Sequence, residues 1–270
     1  MTAGIERIPS IICGDITIKS DQPFYIGGPC TIESETQILT TAEHVAEQGA
    51  NAIRGGAFKI RTHPESYRGL GLKGISLLLR AGQLTNLPVV TEITTESQIP
   101  QIIQEIENHN NHPLIVQIGS RNSQNTPLLN AVGKTGLPVL LKRGFGNTIK
   151  ETLSASDYIT QGGSPVLICE RGIRTWSSES GVGRFTPDLF SIPLLQKEGF
   201  LVIWDPSHST GRSDWVESTA LAGMAMGSNG LIVEVHPQPE KALCDGAQAL
   251  TFNQYSTMMA KLKQIKTILK

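Results

Sequence analysis

Short apolar runs rich in β-branched residues recur along the whole chain, and most of them end in a polar or charged side chain. Amphipathic stretches such as 34–48, 95–109 and 148–162 separate most of these runs. Continuous apolar strands that alternate with amphipathic helices are typical of a parallel β-sheet. The eight runs span residues 24–30, 51–59, 88–93, 114–121, 138–143, 165–171, 201–208 and 230–236.

Eight strand–helix units in one chain predict a closed barrel. Such (β/α)8 barrels use about 250 residues as a single domain, and this chain has 270. An open, doubly wound sheet is the alternative, but it normally has fewer strands, so some of the eight strand–helix units would have no place in it. We therefore predict an α/β fold of the TIM-barrel type, with the C-terminal stretch 252–270 as its eighth helix.

The first apolar segment has a different pattern. Residues 10–18 form two β-prone runs on either side of Gly14-Asp15, which suits a tight hairpin. Because this segment precedes the first barrel strand, we expect it to plug the N-terminal end of the barrel. The predicted organisation is an N-terminal hairpin extension over residues 1–26 and a barrel over residues 27–270, within a single domain overall.

Composition limits the classes of function. Hydrophobic residues make up 39% of the chain and charged residues 17%, as expected of a folded protein with a large core. Since 23 basic and 24 acidic residues give a net charge of -1, no basic field attracts nucleic acid or an anionic membrane. Neither a membrane-length apolar run nor a signal-peptide pattern is present. Four widely spaced cysteines favour free thiols, so we expect a cytoplasmic protein.

Cations accumulate where the predicted strands end. The carboxyl ends of the strands, and the loops after them, build the active sites of parallel barrels. One cation at such a position is commonly a solvated rim residue, but six at one barrel mouth suit a substrate with several negative charges. Arginine and lysine are the usual partners of phosphate and carboxylate. The six residues are Arg54, Lys59, Arg61, Arg121, Lys142 and Arg171.

A second set combines a thiol, an imidazole and two carboxylates on strands that become neighbours when the barrel closes. This mixture suits a catalytic divalent metal with one coordination position left open. The residues are Cys30, His208, Glu234 and Asp245. The alternatives are that Cys30 is simply a small buried residue and that His208 caps a loop. We interpret His44, His109 and His112 as surface residues and not as ligands.

Seven stretches of the chain resemble a known family of enzymes. They are GGPCTIES (27–34), IRGGAFKIRT (53–62), QIGSRNSQN (117–125), GKTGLPVLLKRG (133–144), ICERGIRT (168–175), DPSHSTGR (205–212) and EVHPQPEKALCDG (234–246). In this order they resemble 3-deoxy-D-arabino-heptulosonate 7-phosphate (DAHP) synthase, in the short class I form related to 3-deoxy-D-manno-octulosonate 8-phosphate synthase. The resemblance implies a metal-dependent condensation of phosphoenolpyruvate with D-erythrose 4-phosphate and water, the first step of the shikimate pathway.

The resemblance also implies roles for individual residues. Metal ligands would be Cys30, His208, Glu234 and Asp245, and the phosphoenolpyruvate site would be Arg54, Lys59, Arg121, Lys142 and Arg171. Arg61 and Thr62 would meet the phosphate of the aldehyde. We expect catalysis to involve Lys59, Cys30 and His208, with Lys59 as the proton donor to the new alkoxide and metal-bound water as the alternative donor. Asp205 is expected to position His208 or the attacking water.

The resemblance implies a cofactor and partners as well. The cofactor would be a divalent metal ion, with Mn²⁺ as our first expectation and Fe²⁺, Co²⁺ or Zn²⁺ as alternatives. The partners would be the two small-molecule substrates and further copies of the chain in a dimer or tetramer. Because Cys244 adjoins the ligand Asp245, we also expect it to lie near Cys30 and to form a disulfide with it when the metal is absent.

Two departures from the family pattern concern the aldehyde. The usual Lys-Pro-Arg-Thr element has Ile60 in place of proline, which would have fixed φ and stiffened the loop. Residues 175–193 also differ from the usual tract. One alternative is therefore a sister synthase that uses another phosphosugar, such as arabinose 5-phosphate, although that enzyme usually has Asn-Arg-Ser where Arg61 and Thr62 stand. A catalytically silent barrel that binds phosphosugars is the alternative of another class, and it would normally have lost a ligand or cation.

Overall fold

The computed structural model describes residues 10–60, 65–175 and 184–268. Its first two strands, β1 (Ser10–Cys13) and β2 (Ile16–Lys19), form an antiparallel hairpin that turns at Gly14-Asp15. The predicted sites Arg61 and Thr62 lie outside the described residues.

Eight further strands pair in parallel and close into a barrel in the order β10-β3-β4-β5-β6-β7-β8-β9. The prediction of a (β/α)8 barrel is confirmed, and the open-sheet alternative is wrong because β3 pairs with β10 over its whole length. The strands are β3 (Phe24–Gly28), β4 (Ala52–Arg54), β5 (Val89–Ile93), β6 (Leu114–Ile118), β7 (Val139–Lys142), β8 (Val166–Glu170), β9 (Leu201–Trp204) and β10 (Gly230–Glu234).

Helices follow the strands and cover the outside of the barrel. They are α1 (Glu35–Glu47), α2 (Leu72–Thr85), α3 (Gln98–Asn108), α4 (Thr126–Gly133), α5 (Ile149–Thr160), α6 (Ser191–Lys197), α7 (Pro206–Thr210), α8 (Ser213–Ala225) and α9 (Phe252–Ile268). Local sequence fixes several starts: Ser34 caps α1, and Thr148 forms a capping box with Glu151 at α5. Helix α9 packs against both α8 and α1, so it completes the ring. Among the described residues, no helix has the length and apolarity needed to cross a membrane.

Buried side chains form two clusters, one between the strands and the helices and one inside the barrel. The inner cluster includes Ile11, Cys13 and Ile18 of the hairpin together with Phe24 and Ile232 from the barrel strands. Each hairpin residue of this cluster is at most 3% exposed. The hairpin therefore seals the barrel at the end opposite the predicted site, because apolar surface on the hairpin is removed from water against the barrel interior.

Two glycines allow neighbouring strands to approach closely where the site begins. Gly28 has φ 147°, and a Cβ there would lie 2.1 Å from the carbonyl oxygen of Arg54. A Cβ on Gly56 would lie 2.6 Å from the carbonyl oxygen of Cys30, whose oxygen accepts a hydrogen bond from the Gly56 N–H. Any larger side chain would separate the two loops. Because Gly28 and Gly56 have no side chain, the segments that carry Cys30 and Arg54 can lie side by side.

The three histidines interpreted as surface residues are half-buried instead. His44 stacks on Phe252 with ring centroids 4.1 Å apart. His112 has Nε2 2.9 Å from the carbonyl oxygen of Leu87, and burial lowers its pKa. His109 bonds to the backbone of its own helix. The surface interpretation was wrong because each imidazole also contacts a residue distant in sequence; for His109 this residue is Ser76, whose Oγ lies 3.2 Å from Nε2. Within the described part of the chain, none of the three belongs to a group that could hold a metal.

Candidate active site

A cavity of about 210 Å³ opens at the carboxyl ends of the barrel strands. Of the residues predicted from sequence, it is lined by Lys59, Arg121, Lys142, Arg171, His208 and Asp245. The other three described residues adjoin it. Arg54 borders a smaller cavity that shares Lys59, Cys30 Sγ lies 3.4 Å from Asp245 Oδ2, and Glu234 Oε1 lies 3.2 Å from His208 Nε2. The structure thus brings together every described candidate from both predicted sets.

Asp205 organises the floor of this cavity. It follows β9 directly, is fully buried, and accepts hydrogen bonds from the backbone N–H of His208 and, at 2.5 Å, from Lys142 Nζ. Its Oδ2 also lies 2.8 Å from His208 Nδ1. Burial alone would raise the pKa of Asp205, but His208 and Lys142 hold it well below its usual value. The carboxylate therefore neutralises Lys142 and orients the imidazole, as expected for a residue that positions His208.

The imidazole of His208 has the protonation state that binding a metal ion requires. Burial lowers its pKa to about 4, despite the opposing effects of Asp205 and Glu234, so the ring is neutral at pH 7. Because Nδ1 faces the Asp205 carboxylate, that nitrogen carries the proton and Nε2 keeps its lone pair. Histidine ligands are commonly fixed in this way by a carboxylate on the other ring nitrogen.

The lone pair of His208 Nε2 faces a buried carboxylate oxygen. Glu234 Oε1 lies 3.2 Å from it and 3.2 Å from Arg54 Nη2, yet within the described residues this oxygen has no partner in hydrogen-bond geometry. Burial alone would raise the pKa of Glu234, but His208 and Arg54 lower it overall. Two groups of electron-pair donors at this distance repel each other unless a cation or a proton lies between them. The arrangement therefore fits a bound metal ion.

Asp245 links the two halves of the predicted ligand set. It belongs to one trio with His208 and Glu234 and to another with Cys30 and Cys244, and within each trio the ligand atoms lie within 4.8 Å of one another. Thiolate, imidazole and carboxylate together suit a borderline divalent ion such as Mn²⁺, Fe²⁺, Co²⁺ or Zn²⁺. The residues present therefore fit the metal that the sequence led us to expect.

Two residues that the sequence analysis missed orient these ligands. Gln248, 2% exposed, donates from Nε2 to Glu234 Oε2 at 2.6 Å. Arg184 donates from Nη1 to Gln248 Oε1 at 2.9 Å and lies 3.7 Å from Asp245 Oδ2. Burial alone would raise the pKa of Asp245, but nearby cations, Lys59 first among them, keep it low. Gln248 was detectable because it follows Asp245 in the loop after β10, whereas nothing in the sequence connects Arg184 with this loop.

Lys59 lines the cavity, and acidic groups that include Cys30 and Glu234 of the predicted ligand set surround it. Burial alone would lower its pKa, but Cys30, Glu92 and other acidic groups around it raise the pKa well above its usual value. Gln117 Nε2 lies 3.4 Å from Glu92 Oε2, and both side chains line the cavity. The absence of a side chain at Gly119 makes room for the Glu92 carboxylate, since a Cβ there would lie 2.0 Å from Glu92 Oε1. The lysine is therefore held protonated beside a carboxylate.

The thiols of Cys30 and Cys244 are in contact, as the adjacency of Cys244 and Asp245 led us to expect. Their Sγ atoms are 3.1 Å apart, and both side chains are buried. The hydrogen bond from Cys30 lowers the pKa of Cys244, while burial raises the pKa of Cys30. Cys244 is thus the thiol more readily converted to the reactive thiolate.

We expect the metal-free protein to form a Cys30–Cys244 disulfide in air and to lose activity, because oxygen removes two electrons and two protons from thiols already in contact. Bound Mn²⁺ should slow this reaction, and dithiothreitol should restore the thiols. Mass spectrometry of alkylated peptides measures the linkage, with Cys13 and Cys169 as internal controls since both are buried elsewhere in the barrel. Cys30 and Cys244 fully alkylated after prolonged aeration of the apoprotein would contradict the prediction.

Similarity to known proteins agrees with this geometry. The sequence model of the DAHP synthetase I family matches residues 5–270. The chain is 41% identical over 254 residues to the phospho-2-dehydro-3-deoxyheptonate aldolase of Thermotoga maritima, covering 93% of this chain and 72% of that protein. It is 31% identical over 272 residues to the 2-dehydro-3-deoxyphosphooctonate aldolase of Desulfotalea psychrophila, covering 93% of each chain.

Solved structures give the same result. The crystal structure of the Thermotoga maritima DAHP synthase superposes with a TM-score of 0.89 at 39% identity, covering 98% of this chain and 75% of that one. A truncated form of the same enzyme superposes with a TM-score of 0.86 at 37% identity, covering 98% and 94%. With its family match, its barrel and its relatives in agreement, the chain belongs to the DAHP synthetase I family.

Proposed function

We propose that this protein condenses phosphoenolpyruvate with D-erythrose 4-phosphate and water to give DAHP and inorganic phosphate. One observation carries the proposal. A single cavity brings Lys59, Lys142 and Arg171 beside His208 and Asp245, so a dianionic or trianionic substrate and a metal site meet in one place. Family membership supports the same reaction.

The cations account for the binding of phosphoenolpyruvate. This substrate carries a carboxylate and a phosphate, and both must lose water before the reaction. Lys142 and Arg171 are only 4% and 2% exposed, so the cost of their own desolvation has already been met in the folded protein. Fixed, desolvated cations orient the substrate and raise the effective concentration of its reacting carbon. Arg54 and Arg121 would complete the set.

We propose that Cys30, His208, Glu234 and Asp245 hold a divalent ion, with Mn²⁺ as the first choice. When bound, the ion supplies a Lewis acid that polarises the aldehyde oxygen. Asp205 keeps His208 correctly oriented, burial keeps its ring neutral, and Gln248 keeps Glu234 directed into the site. These supporting contacts fix the orientation of the proposed ligands before the ion binds.

Lys59 is the proton donor in the proposed mechanism. As C3 of phosphoenolpyruvate forms a bond to the aldehyde carbon, the aldehyde oxygen becomes an alkoxide and takes a proton from Lys59 Nζ. The new C–C bond leaves C2 of the former phosphoenolpyruvate as an oxocarbenium ion, to which water adds while one of its protons returns to Lys59. The bond between C2 and the phosphate oxygen then breaks, the remaining hydroxyl on C2 becomes the ketone, and its proton leaves with inorganic phosphate. Because Glu92 and its neighbours hold Lys59 protonated at neutral pH, the proton is present when the alkoxide forms.

The choice of aldehyde depends on the loop that contains Ile60. Ile60 lines the cavity where the family pattern has proline. We propose erythrose 4-phosphate as the substrate, with Arg61 and Thr62 as the residues that meet its phosphate. Arabinose 5-phosphate is the alternative, since a relative 31% identical to this chain is named as a 2-dehydro-3-deoxyphosphooctonate aldolase.

Phosphate release from phosphoenolpyruvate distinguishes these functions. The Mn²⁺-loaded protein should release phosphate fastest with erythrose 4-phosphate, more slowly with arabinose 5-phosphate or ribose 5-phosphate, and not at all without an aldehyde. The Lys142→Met variant should be inactive with every aldehyde, which separates this activity from a contaminating phosphatase. Faster turnover with arabinose 5-phosphate would assign the sister reaction, and no release with any aldehyde would favour a binding protein. The cytoplasmic location and a dimeric or tetrameric assembly stay predictions.

A further inference from the structure

We propose that Phe145 and Phe185 are positioning residues of the phosphoenolpyruvate site, because their rings hold the guanidinium group of Arg171 while no described residue occupies its Nη1, which can donate to the anion. This inference rests on the proposed function, in which Arg171 binds phosphoenolpyruvate. It concerns what keeps a buried, positively charged side chain in place before the substrate arrives.

Arg171 lies in an unusual environment for a buried cation. Its Cζ is 3.6 Å from the centroid of the Phe185 ring and 5.1 Å from that of Phe145. The two rings are themselves 5.2 Å apart and 29° from parallel. Nη2 donates to the carbonyl oxygen of His208 at 3.2 Å, but Nη1 is buried and has no hydrogen-bond partner among the residues that the structure describes. The guanidinium group is therefore held mainly by aromatic faces.

Arg143 shows how the same chain holds an arginine that is purely structural. Its Nη1 donates to Glu170 Oε2 at 2.7 Å and to Asp188 Oδ2 at 2.6 Å, and its Nε donates to the carbonyl oxygen of Asn147. Carboxylates thus occupy the N–H groups that an anionic substrate would need. Ring faces attract a cation through their electron density and leave those N–H groups open. The aromatic environment of Arg171 is the arrangement that suits a substrate-binding arginine.

Phe145 also lies close to the guanidinium groups of two further arginines. Its ring centroid is 5.4 Å from Arg121 Cζ and 5.2 Å from Arg174 Cζ, in addition to its contact with Arg171. The N–H of Arg174 donates to the carbonyl oxygen of Phe145 at 2.7 Å, which ties the loop after β8 to the loop after β7. Phe145 also lines the cavity, so one ring lies close to three cations that would otherwise repel each other.

The proposed role of Phe185 belongs to this chain and does not follow from the family motifs. Phe185 lies within residues 175–193, where the sequence departs from the usual family tract, so the family motifs assign it no role. The side chain is nevertheless 8% exposed and packed against the most deeply buried cation of the cavity. Phe185 therefore contributes to the affinity for phosphoenolpyruvate by holding Arg171.

Replacing Phe185 by leucine tests the inference, because leucine keeps the apolar character and removes the ring. We expect KM for phosphoenolpyruvate to rise about tenfold, the size of a buried cation–π contact. Phe145→Leu should raise it to a similar extent. For both variants kcat and KM for the aldehyde should change less than about twofold, because the rings touch no reacting atom. Phe185→Tyr, which restores an aromatic face, should return KM to the wild-type value.

Phe24→Leu is the matched control. Phe24 is 3% exposed and lies at the opposite end of the barrel, so it reports what a buried phenylalanine-to-leucine change costs without any effect on the site. Its melting temperature should fall about as much as that of Phe185→Leu, with KM unchanged. If Phe185→Leu does not fold, Phe145→Leu provides the same test at a half-buried position.

Calorimetric titration of phosphoenolpyruvate without an aldehyde separates this inference from the proposed function. A rise in Kd for both leucine variants supports the positioning role even if the wild-type protein turns over a different aldehyde. Unchanged KM and Kd in both variants would overturn the inference, as would an equal rise in Phe24→Leu. A fall in kcat with unchanged KM would also overturn it, since that result would place the rings in the chemical step.

Discussion

Chelation should abolish turnover, and Mn²⁺ should restore it. The reason is that Glu234 Oε1 and His208 Nε2 face each other at 3.2 Å and, within the described part of the chain, that oxygen has no hydrogen-bond partner, so a bound cation would relieve the repulsion between the two atoms. Activity measured after dialysis against excess chelator, and again after adding Mn²⁺, Fe²⁺, Co²⁺ or Zn²⁺, checks the prediction and ranks the metals. Full activity in excess chelator would refute the metal site.

The Cys30→Ala variant sharpens this test. Loss of the thiol should weaken Mn²⁺ binding by at least about 100-fold, because loss of a mere supporting contact already costs about 10- to 100-fold. The matched control is Cys13→Ala, since Cys13 is 3% exposed against 4% for Cys30 but lies in the hairpin at the other end of the barrel. Metal content after gel filtration should fall in the first variant only.

Lys59→Met should lower kcat by about 1,000-fold, which lies within the usual contribution of a positioned proton donor. Methionine keeps the length of the side chain but has no proton to give. Lys59→Arg should restore binding of phosphoenolpyruvate without restoring kcat, because the planar, bulkier guanidinium group keeps the positive charge but places its N–H groups away from the position of Lys59 Nζ. Rapid-mix measurement of a single turnover, together with Kd for phosphoenolpyruvate, separates the two effects.

A lysine outside the site provides the control for this change. Lys134 is exposed at the end of α4, and Lys134→Met should leave both kcat and Kd unaltered. If Lys59→Met keeps kcat within about tenfold of the wild type, the alkoxide takes its proton from another donor, and the catalytic role assigned to Lys59 is wrong.

The fold and most of the site could be predicted because both depend on features repeated along the chain. A strand buried on both faces is a continuous apolar run, and its carboxyl end marks the catalytic face. The alternation of side chains also separates neighbours such as Lys142, which lines the cavity, and Arg143, which turns away to bind Glu170. Of two consecutive residues on a strand, one side chain faces the barrel interior and the other faces the helices.

The remaining features depend on contacts between distant loops. Arg184 reaches Gln248, and His44 stacks on Phe252, yet no local pattern connects either pair. For the same reason the sequence showed Arg171 as a cation at a strand end but not the aromatic rings that hold it. Only the packed structure shows which partner a long side chain selects.

The pairing of β3 with β10 has a consequence for how the barrel is assembled. These are the first and last barrel strands, so during synthesis the edge of β3 stays open until the final strand leaves the ribosome. The proposed ligands lie across this seam, with Cys30 after β3, His208 after β9, and Glu234 and Asp245 on β10 and its loop. An ion bound there joins the two ends of the barrel and stabilises only the closed state, by about 2.7 kcal/mol when its concentration is 100 times Kd. The metal proposed to serve catalysis would therefore also join the two ends of the barrel, and the supply of that metal would set the fraction of chains in which the barrel is closed.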